Sequence, residues 1–278
     1  MTRQSPSRRT RAPRGYVASA RQVSDVSSDC LSDRSENSWE TGRQRSSRPL
    51  QPRNEELGVS TSELELIYGQ RWNPTELAGV RDVWNVLVTD YFQQLIPADA
   101  RVLDIGCGFC HFLNAVKAEE RVGIDANPDA KRHAAPGVTV HTVNDLDLRE
   151  VTENHFDFIF ISNFLEHLGN SQTVLDLLRR VRERLSPRGR VVILQPNFRL
   201  LGWRYFDFID HSMVLTDASM REALELSELK LERQILRFLP YTTKSKLPTH
   251  PALVRLYLRL PIFWQFFGKQ SLFIARRS

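Results

Sequence analysis

The sequence predicts a doubly wound α/β fold, a parallel sheet with crossover helices on both faces, preceded by a disordered basic tail. Three observations carry this expectation. Short apolar runs alternate with helical patterns between residues 101 and 238, and strands that alternate with helices pair in parallel through crossover connections. One of these runs, Val102-Leu103-Asp104-Ile105, enters a glycine turn, Gly106-Cys107-Gly108, ahead of a helical stretch. Residues 1–56 are dominated by Ser, Arg, Gln and Pro, too little apolar surface to offset the entropy of ordering.

Order is expected from Leu57, which divides the chain into a tail (1–56) and a single domain (57–278). Pro74, Thr75 and Glu76 open a helix in which Leu77, Val80, Trp84, Leu87, Val88, Tyr91 and Leu95 recur at helical spacing; it ends before Pro97. Arg101–Ile105 reads as a strand, Phe109–Ala118 as a helix, Arg121–Ile124 as a strand and Pro128–Ala135 as a short helix. Val138–Val143 and Phe156–Ile161 are the next strands. Ser171–Leu185 is a long helix stopped by Ser186-Pro187-Arg188-Gly189, and Arg190–Leu194 is the fifth strand. Residues 216–227, with Thr216 as N-cap, form a helix, and Leu229–Phe238 is extended.

Charge divides the chain in three. Residues 1–56 carry 11 Arg or Lys against 7 acids, residues 57–232 carry 18 against 26, and residues 233–278 carry 9 basic residues and no acid. An acidic body therefore lies between two basic ends. The tail reads as a solvated extension or as a tether to an acidic surface; its first 24 residues hold no acid but lack the apolar stripe of a transit peptide. Three cysteines are too few for a disulfide framework, and Cys107 and Cys110 share one loop. A reducing compartment is expected, hence a cytoplasmic protein. No apolar run reaches the ~18 residues of a membrane span.

A strand running into a glycine turn and then a helix is where doubly wound folds bind nucleotides. A dinucleotide site asks for Gly-x-Gly-x-x-Gly, whose third glycine would fall at His111. Asp104, at the strand end, would repel a pyrophosphate and favour a ligand that carries positive charge. S-adenosylmethionine has no phosphate and carries an ammonium and a sulfonium. Asp125 ends the second strand and is placed to accept hydrogen bonds from both ribose hydroxyls. Asn144-Asp145 follows the third strand, where the pair can bond the exocyclic amine of adenine while Leu146 packs on the ring. Cys107 and Cys110 also make a Cys-x-x-Cys pair, a redox pattern, but the turn already explains its glycines and no His-x-x-His completes a zinc site.

Methyl transfer is an in-line displacement at an activated carbon, so positioning supplies most of the catalysis; a hydroxyl acceptor also gains from a base. His167, after Glu166 beyond the fourth strand, and His211, after Asp210 in the loop beyond the fifth, lie on the ligand side and are the candidate bases. The alternative for each is a structural histidine.

Leu103–Gly108, Gly123–Pro128, Asn144-Asp145-Leu146, Phe156–Leu168 and Gly189–Asn197 fall in a single order. With these segments the chain resembles the class I S-adenosylmethionine-dependent methyltransferases over about residues 95–240. The resemblance implies a Rossmann-like sheet of seven strands whose last strand, Ser271–Ala275, is antiparallel. It implies donor contacts from Asp104, Gly106, Cys107 and Gly108 in the turn, from Asp125 and Ala126, and from Asn144, Asp145, Leu146 and Asn163. Cys110 stands where the family often has a further glycine. Asn163–Leu168 looks like the segment of ubiquinone-type O-methyltransferases that reads Glu-x-x-Glu-His and holds a divalent cation; Asn163 replaces the first Glu, and no metal is expected.

Between the sixth strand and the last, residues 240–269 interleave Lys244, Lys246, Arg255, Arg259 and Lys269 with aromatic side chains. If the sixth strand is parallel to the others, this insertion roofs the acceptor pocket. It reads as a lid with solvated cations, as an amphipathic surface for an anionic membrane, or as a nucleic-acid face; the acidic body argues against nucleic acid. The expected activity is methylation of a small-molecule or of a lipid- or glycan-linked acceptor, preferably at oxygen. Two other classes stay open. One is an NAD-binding oxidoreductase, disfavoured by Asp104; the other is an inactive scaffold that binds S-adenosylmethionine, against which stand the intact Asp104, Gly106, Gly108 and Asp125.

Overall fold

A computed structural model of the chain describes residues 74–143, 146–241 and 250–278. The expected tail (1–56), the start of order near Leu57, the pair Asn144-Asp145 and residues 242–249 of the insertion lie outside the described residues.

Seven strands form one sheet: β1 (Arg101–Ile105), β2 (Glu120–Asp125), β3 (Thr139–Thr142), β4 (Phe156–Ser162), β5 (Leu185–Pro196), β6 (Leu229–Leu239) and β7 (Gln270–Arg277). Their order is β3-β2-β1-β4-β5-β7-β6. β1, β2, β3, β4 and β5 pair in parallel, and β7 is antiparallel to both β5 and β6. β6 therefore runs with the other strands, and its C-terminal end opens on the same edge as theirs. The described helices are α1 (Pro74–Asp90), α2 (His111–Ala115), α3 (Ala130–His133), α4 (Ser171–Arg184), α5 (Phe198–Leu201), α6 (Asp217–Leu226), α7 (Pro251–Arg259) and α8 (Pro261–Phe267). None of them is long and apolar enough to cross a membrane.

Both faces of the sheet are buried, which is why its strands read as continuous apolar runs. Along β4, Ile159 and Ile161 join the core under α4 and α6, where Leu177, Leu178 and Leu224 pack. Phe158 and Phe160 point to the opposite core, with Phe92, Phe112 and Trp264. Val192 and Leu194 of β5 alternate with Val191 and Ile193 in the same way. Thr216 caps α6 through a reciprocal bond with Ser219.

Three elements depart from the sequence expectation. The first helix stops at Asp90, and Phe92–Leu95 tightens into a 3-10 turn; Gln93 Nε2 donates to the carbonyls of Ile96 and Lys117 and holds it there. The helix expected over Phe109–Ala118 spans only His111–Ala115. Cys110 takes a left-handed conformation (φ 55°) and delays its start, and Val116 turns extended at its end. Ser186–Gly189, expected to stop a helix, is the first part of β5, taken up by a register shift opposite Phe156 and Phe158. Gly189 is required there: a Cβ would stand 2.5 Å from the Phe156 carbonyl oxygen.

Strand order reverses between β1 and β4, so the crevice of the sheet opens at their C-terminal ends. The loops after β1, β4, β5 and β6 converge on it.

Candidate active site

β1 delivers Asp104 to this crevice, and the chain then turns through Gly106 (φ 74°) and Gly108 (φ 49°), conformations that suit glycine. The Gly106 and Cys107 amides both donate to the Ile124 carbonyl, at 2.8 and 3.2 Å, which folds the turn onto β2. Asp125 anchors it from below: the Gly108 amide donates to its Oδ2 at 2.7 Å and the Asn127 amide to its Oδ1 at 2.8 Å. Asp104 is 4% exposed, and its carboxyl group has no hydrogen bond or ion pair with any other described residue. Burial, with Cys110 and Asp125 close by, pushes its carboxyl well above the usual range. Such a group gains most from a cation placed beside it. Asn163, at the end of β4 with φ 49°, has a buried Oδ1 without a partner. Asp104 and Asn163 line the same cavity, two acceptors suited to one ammonium group.

The turn after β4 and the loop after α5 meet at an acid–histidine cluster. His167 Nδ1 lies 3.1 Å from the Asp210 carbonyl oxygen and 3.3 Å from Asp210 Oδ2, and its Nε2 is 4.0 Å from Glu166 Oε1. His211 Nδ1 lies 2.7 Å from the Tyr205 carbonyl. An N–H at each Nδ1 donates to these oxygens and leaves each Nε2 as a proton acceptor. The two rings stand 5.1 Å apart. Glu166 is fully buried and accepts a bond from Gln195 Nε2 at 3.2 Å; burial raises its pKa. Glu166, His167 and His211 each offer one ligand atom, all within 4.8 Å of one another. Two nitrogens and one oxygen suit a transition-metal ion better than magnesium.

The glycine turn, Asn163, Glu166 and both histidines line one continuous cavity of about 550 Å³, the size of a small-molecule site. Much of its remaining wall is apolar: Val80, Trp84 and Leu87 of α1, Val254 and Tyr257 of α7, and Phe263 of α8. The described part of the 240–269 insertion thus roofs the cavity, as the parallel β6 requires.

A family model described as a methyltransferase domain matches residues 80–234. The chain belongs to this methyltransferase family. Among solved structures it is similar to a SAM-dependent methyltransferase from Archaeoglobus fulgidus, with TM-score 0.52 and 19% identity over 71% of this chain and 94% of that one. It is also similar to a TehB-like SAM-dependent methyltransferase from Corynebacterium glutamicum, with TM-score 0.52 and 17% identity over 78% of this chain and 100% of that one. These likenesses show a shared fold. A comparison with curated proteins found no match.

Of the residues expected from sequence, the methyltransferase brings Asp104, Gly106, Cys107, Gly108, Asn163, His167 and His211 to one cavity. Asp125 stands behind the turn, Ala126 packs partly buried against the sheet core, and Leu146 is 3% exposed within that core; none of the three lines the cavity. The Cys107 and Cys110 thiols are free, buried and 3.9 Å apart. Sequence reasoning missed Asp210 as the partner of His167, the wall from α1, and His111. His111 lines the cavity at the position of a dinucleotide loop's third glycine; burial, with His133 and Arg81 nearby, lowers its pKa to about 4. The dipeptide Asp210-His211 was the available signal for the first of these.

Proposed function

We propose that this methyltransferase moves a methyl group from S-adenosylmethionine to a hydroxyl oxygen of a small-molecule or lipid-linked acceptor, with His167 as the base. The observation that carries the reading is the Asp210–His167 contact, in which His167 lines the same cavity as Asp104 and the glycine turn. S-adenosylmethionine supplies a methyl group on a positively charged sulfur. Asp104 and the unpartnered Asn163 Oδ1 suit its ammonium end, and the remaining lone pairs of Asp125 suit its ribose hydroxyls. Asn144 and Asp145 remain proposed for the adenine amine. The acceptor oxygen bonds to the methyl carbon as its proton passes to His167 Nε2, and the electron pair of the breaking carbon–sulfur bond stays on sulfur. Asp210 stabilises the imidazolium that forms. The apolar wall of α1, α7 and α8 suits an acceptor with an apolar body. A cytoplasmic setting accords with the free Cys107 and Cys110.

The grouping of Glu166, His167 and His211 favours a second reading, in which these residues hold a divalent cation beside the acceptor. The main reading is tested by incubating the protein with methyl-labelled donor and apolar alcohols or phenols of increasing chain length. Label on oxygen, with KM falling as the chain lengthens, is expected; label found only on nitrogen or carbon acceptors would overturn the choice of oxygen.

A further inference from the structure

The α7–α8 hairpin exposes large apolar side chains, and Ile262 and Phe266 among them do not line the cavity. On α8 only Trp264 is buried, while Ile262 is 60% and Phe266 69% exposed. On α7 only Leu258 is buried, while Leu253 and Leu256 are half exposed at the mouth of the cavity they line. A helix whose sole task was to roof a cavity would turn Ile262 and Phe266 inward as well. The turn after α5 does the same, with Trp203 85% and Ile209 92% exposed. Both elements border one opening. Phe263 and Phe267 line the cavity from the hairpin and Phe208 from the turn, and the Phe208 ring meets Tyr241 at 6.0 Å. Clustered exposed apolar side chains mark an interaction surface. The hairpin that displays them is braced: Trp264 Nε1 donates to the Tyr257 carbonyl and Tyr257 Oη to the Phe238 carbonyl, each at 2.8 Å.

Charge selects the partner. Residues 233–278 hold no acid. Arg255 and Arg259 stand exposed among the leucines of α7; Arg255 reaches Asp90 of α1 at 3.5 Å, and Arg259 has no ion pair among the described residues. We propose that the α7–α8 hairpin and the Trp203–Ile209 turn dock on the surface of an anionic phospholipid bilayer. Aromatic and aliphatic side chains sit at the headgroup level and the arginines meet lipid phosphates. The cavity mouth then opens onto the lipid from which an apolar acceptor is drawn. This inference deepens the proposed function and rests on its apolar acceptor.

The test is co-sedimentation of the full chain with vesicles of phosphatidylcholine alone or mixed with phosphatidylglycerol. Wild-type protein is expected to sediment with the mixed vesicles, less so as salt is raised. The double variant Ile262→Ser, Phe266→Ser touches neither the cavity lining nor the cluster. It is expected to lose at least about tenfold in partitioning, with S-adenosylhomocysteine binding unchanged. Equal partitioning of variant and wild type, or no preference for the anionic vesicles, overturns the proposal. So does size-exclusion chromatography in which the substitutions convert a dimer to a monomer, because the face then joins two copies of the chain. Failure of the oxygen-acceptor reading shows separately, as normal vesicle binding without methylation of any hydroxyl compound.

Discussion

Asp210 Oδ2 lies 3.3 Å from Nδ1 of His167, a residue 43 positions earlier in the chain. The sequence contains two acid–histidine dipeptides, Glu166-His167 and Asp210-His211, and the fold crosses them. The Met213 amide donates to the Glu166 carbonyl at 2.9 Å, and Ser212 Oγ donates to the Leu168 carbonyl at 3.1 Å. These bonds lay the loop after α5 against the turn after β4. His167 thereby gains a carboxylate, and His211 Nδ1 lies against the Tyr205 carbonyl.

Asp210→Asn keeps the size of this side chain and removes its charge. Turnover is expected to fall roughly a hundredfold, with donor affinity unchanged. His167→Ala should cost a similar factor, and the two losses should not multiply in the double variant, because the residues act as a unit. Full turnover by Asp210→Asn, measured as initial rate at saturating donor, would remove His167 from the role of base.

Asp104 is expected to bind donor at the expense of stability. Its carboxyl is raised by burial, so the folded state keeps a proton that the unfolded chain has released. Its contribution to stability is therefore greatest at low pH and declines as pH rises from the ordinary carboxylate range toward the raised value. Asp104→Asn removes that decline. The ligand-free variant should melt no lower than wild type near neutral pH, yet bind S-adenosylhomocysteine about tenfold more weakly or worse. Thermal melts across pH with and without ligand check both parts; unchanged affinity would place the ammonium elsewhere.

Asp157 behaves in the opposite sense. The hydrogen bond from the Arg101 side chain, aided by the Arg101 amide and the Ser186 hydroxyl, holds its pKa at about 2. The stability this supplies is present above the ordinary carboxylate range and is lost as pH falls toward about 2. Arg101→Gln should move the midpoint of acid unfolding to higher pH. The move should be modest, since the paired side chains are 36% and 34% exposed. An unmoved midpoint, followed by circular dichroism, would contradict the assignment.

Chelation separates the two readings of the cluster. With His167 as an Asp210-backed base, protein treated with a strong chelator and desalted should keep its turnover. Loss of activity that zinc or manganese restores would assign Glu166, His167 and His211 to a metal centre.

Much of this was legible in the sequence, for identifiable reasons. Both faces of the sheet are covered, so β1, β4 and β5 stand out as apolar runs, and the glycine turn after β1 marks the crevice. What escaped depends on contacts remote in sequence. β5 begins at Leu185 because Gly189 lets the strand approach Phe156, which Ser186-Pro187 on its own does not suggest. The helix after the turn is short because Cys110 is left-handed, a conformation its thiol does not advertise. Asp125 was read by its position at a strand end; that its two oxygens also accept the Gly108 and Asn127 amides was not legible there. The Asp210–His167 contact exists only once two loops are laid together.

The central claim is that the cavity at the β1–β4 crevice binds a methyl donor through Asp104 and the glycine turn. Calorimetric titration of the full chain with S-adenosylhomocysteine tests it most directly. Saturable binding at one site is expected in wild-type protein, with a clear loss of affinity in Asp104→Asn. A folded wild-type sample that gives neither heat nor a rise in melting temperature would contradict it and leave the fold as a scaffold.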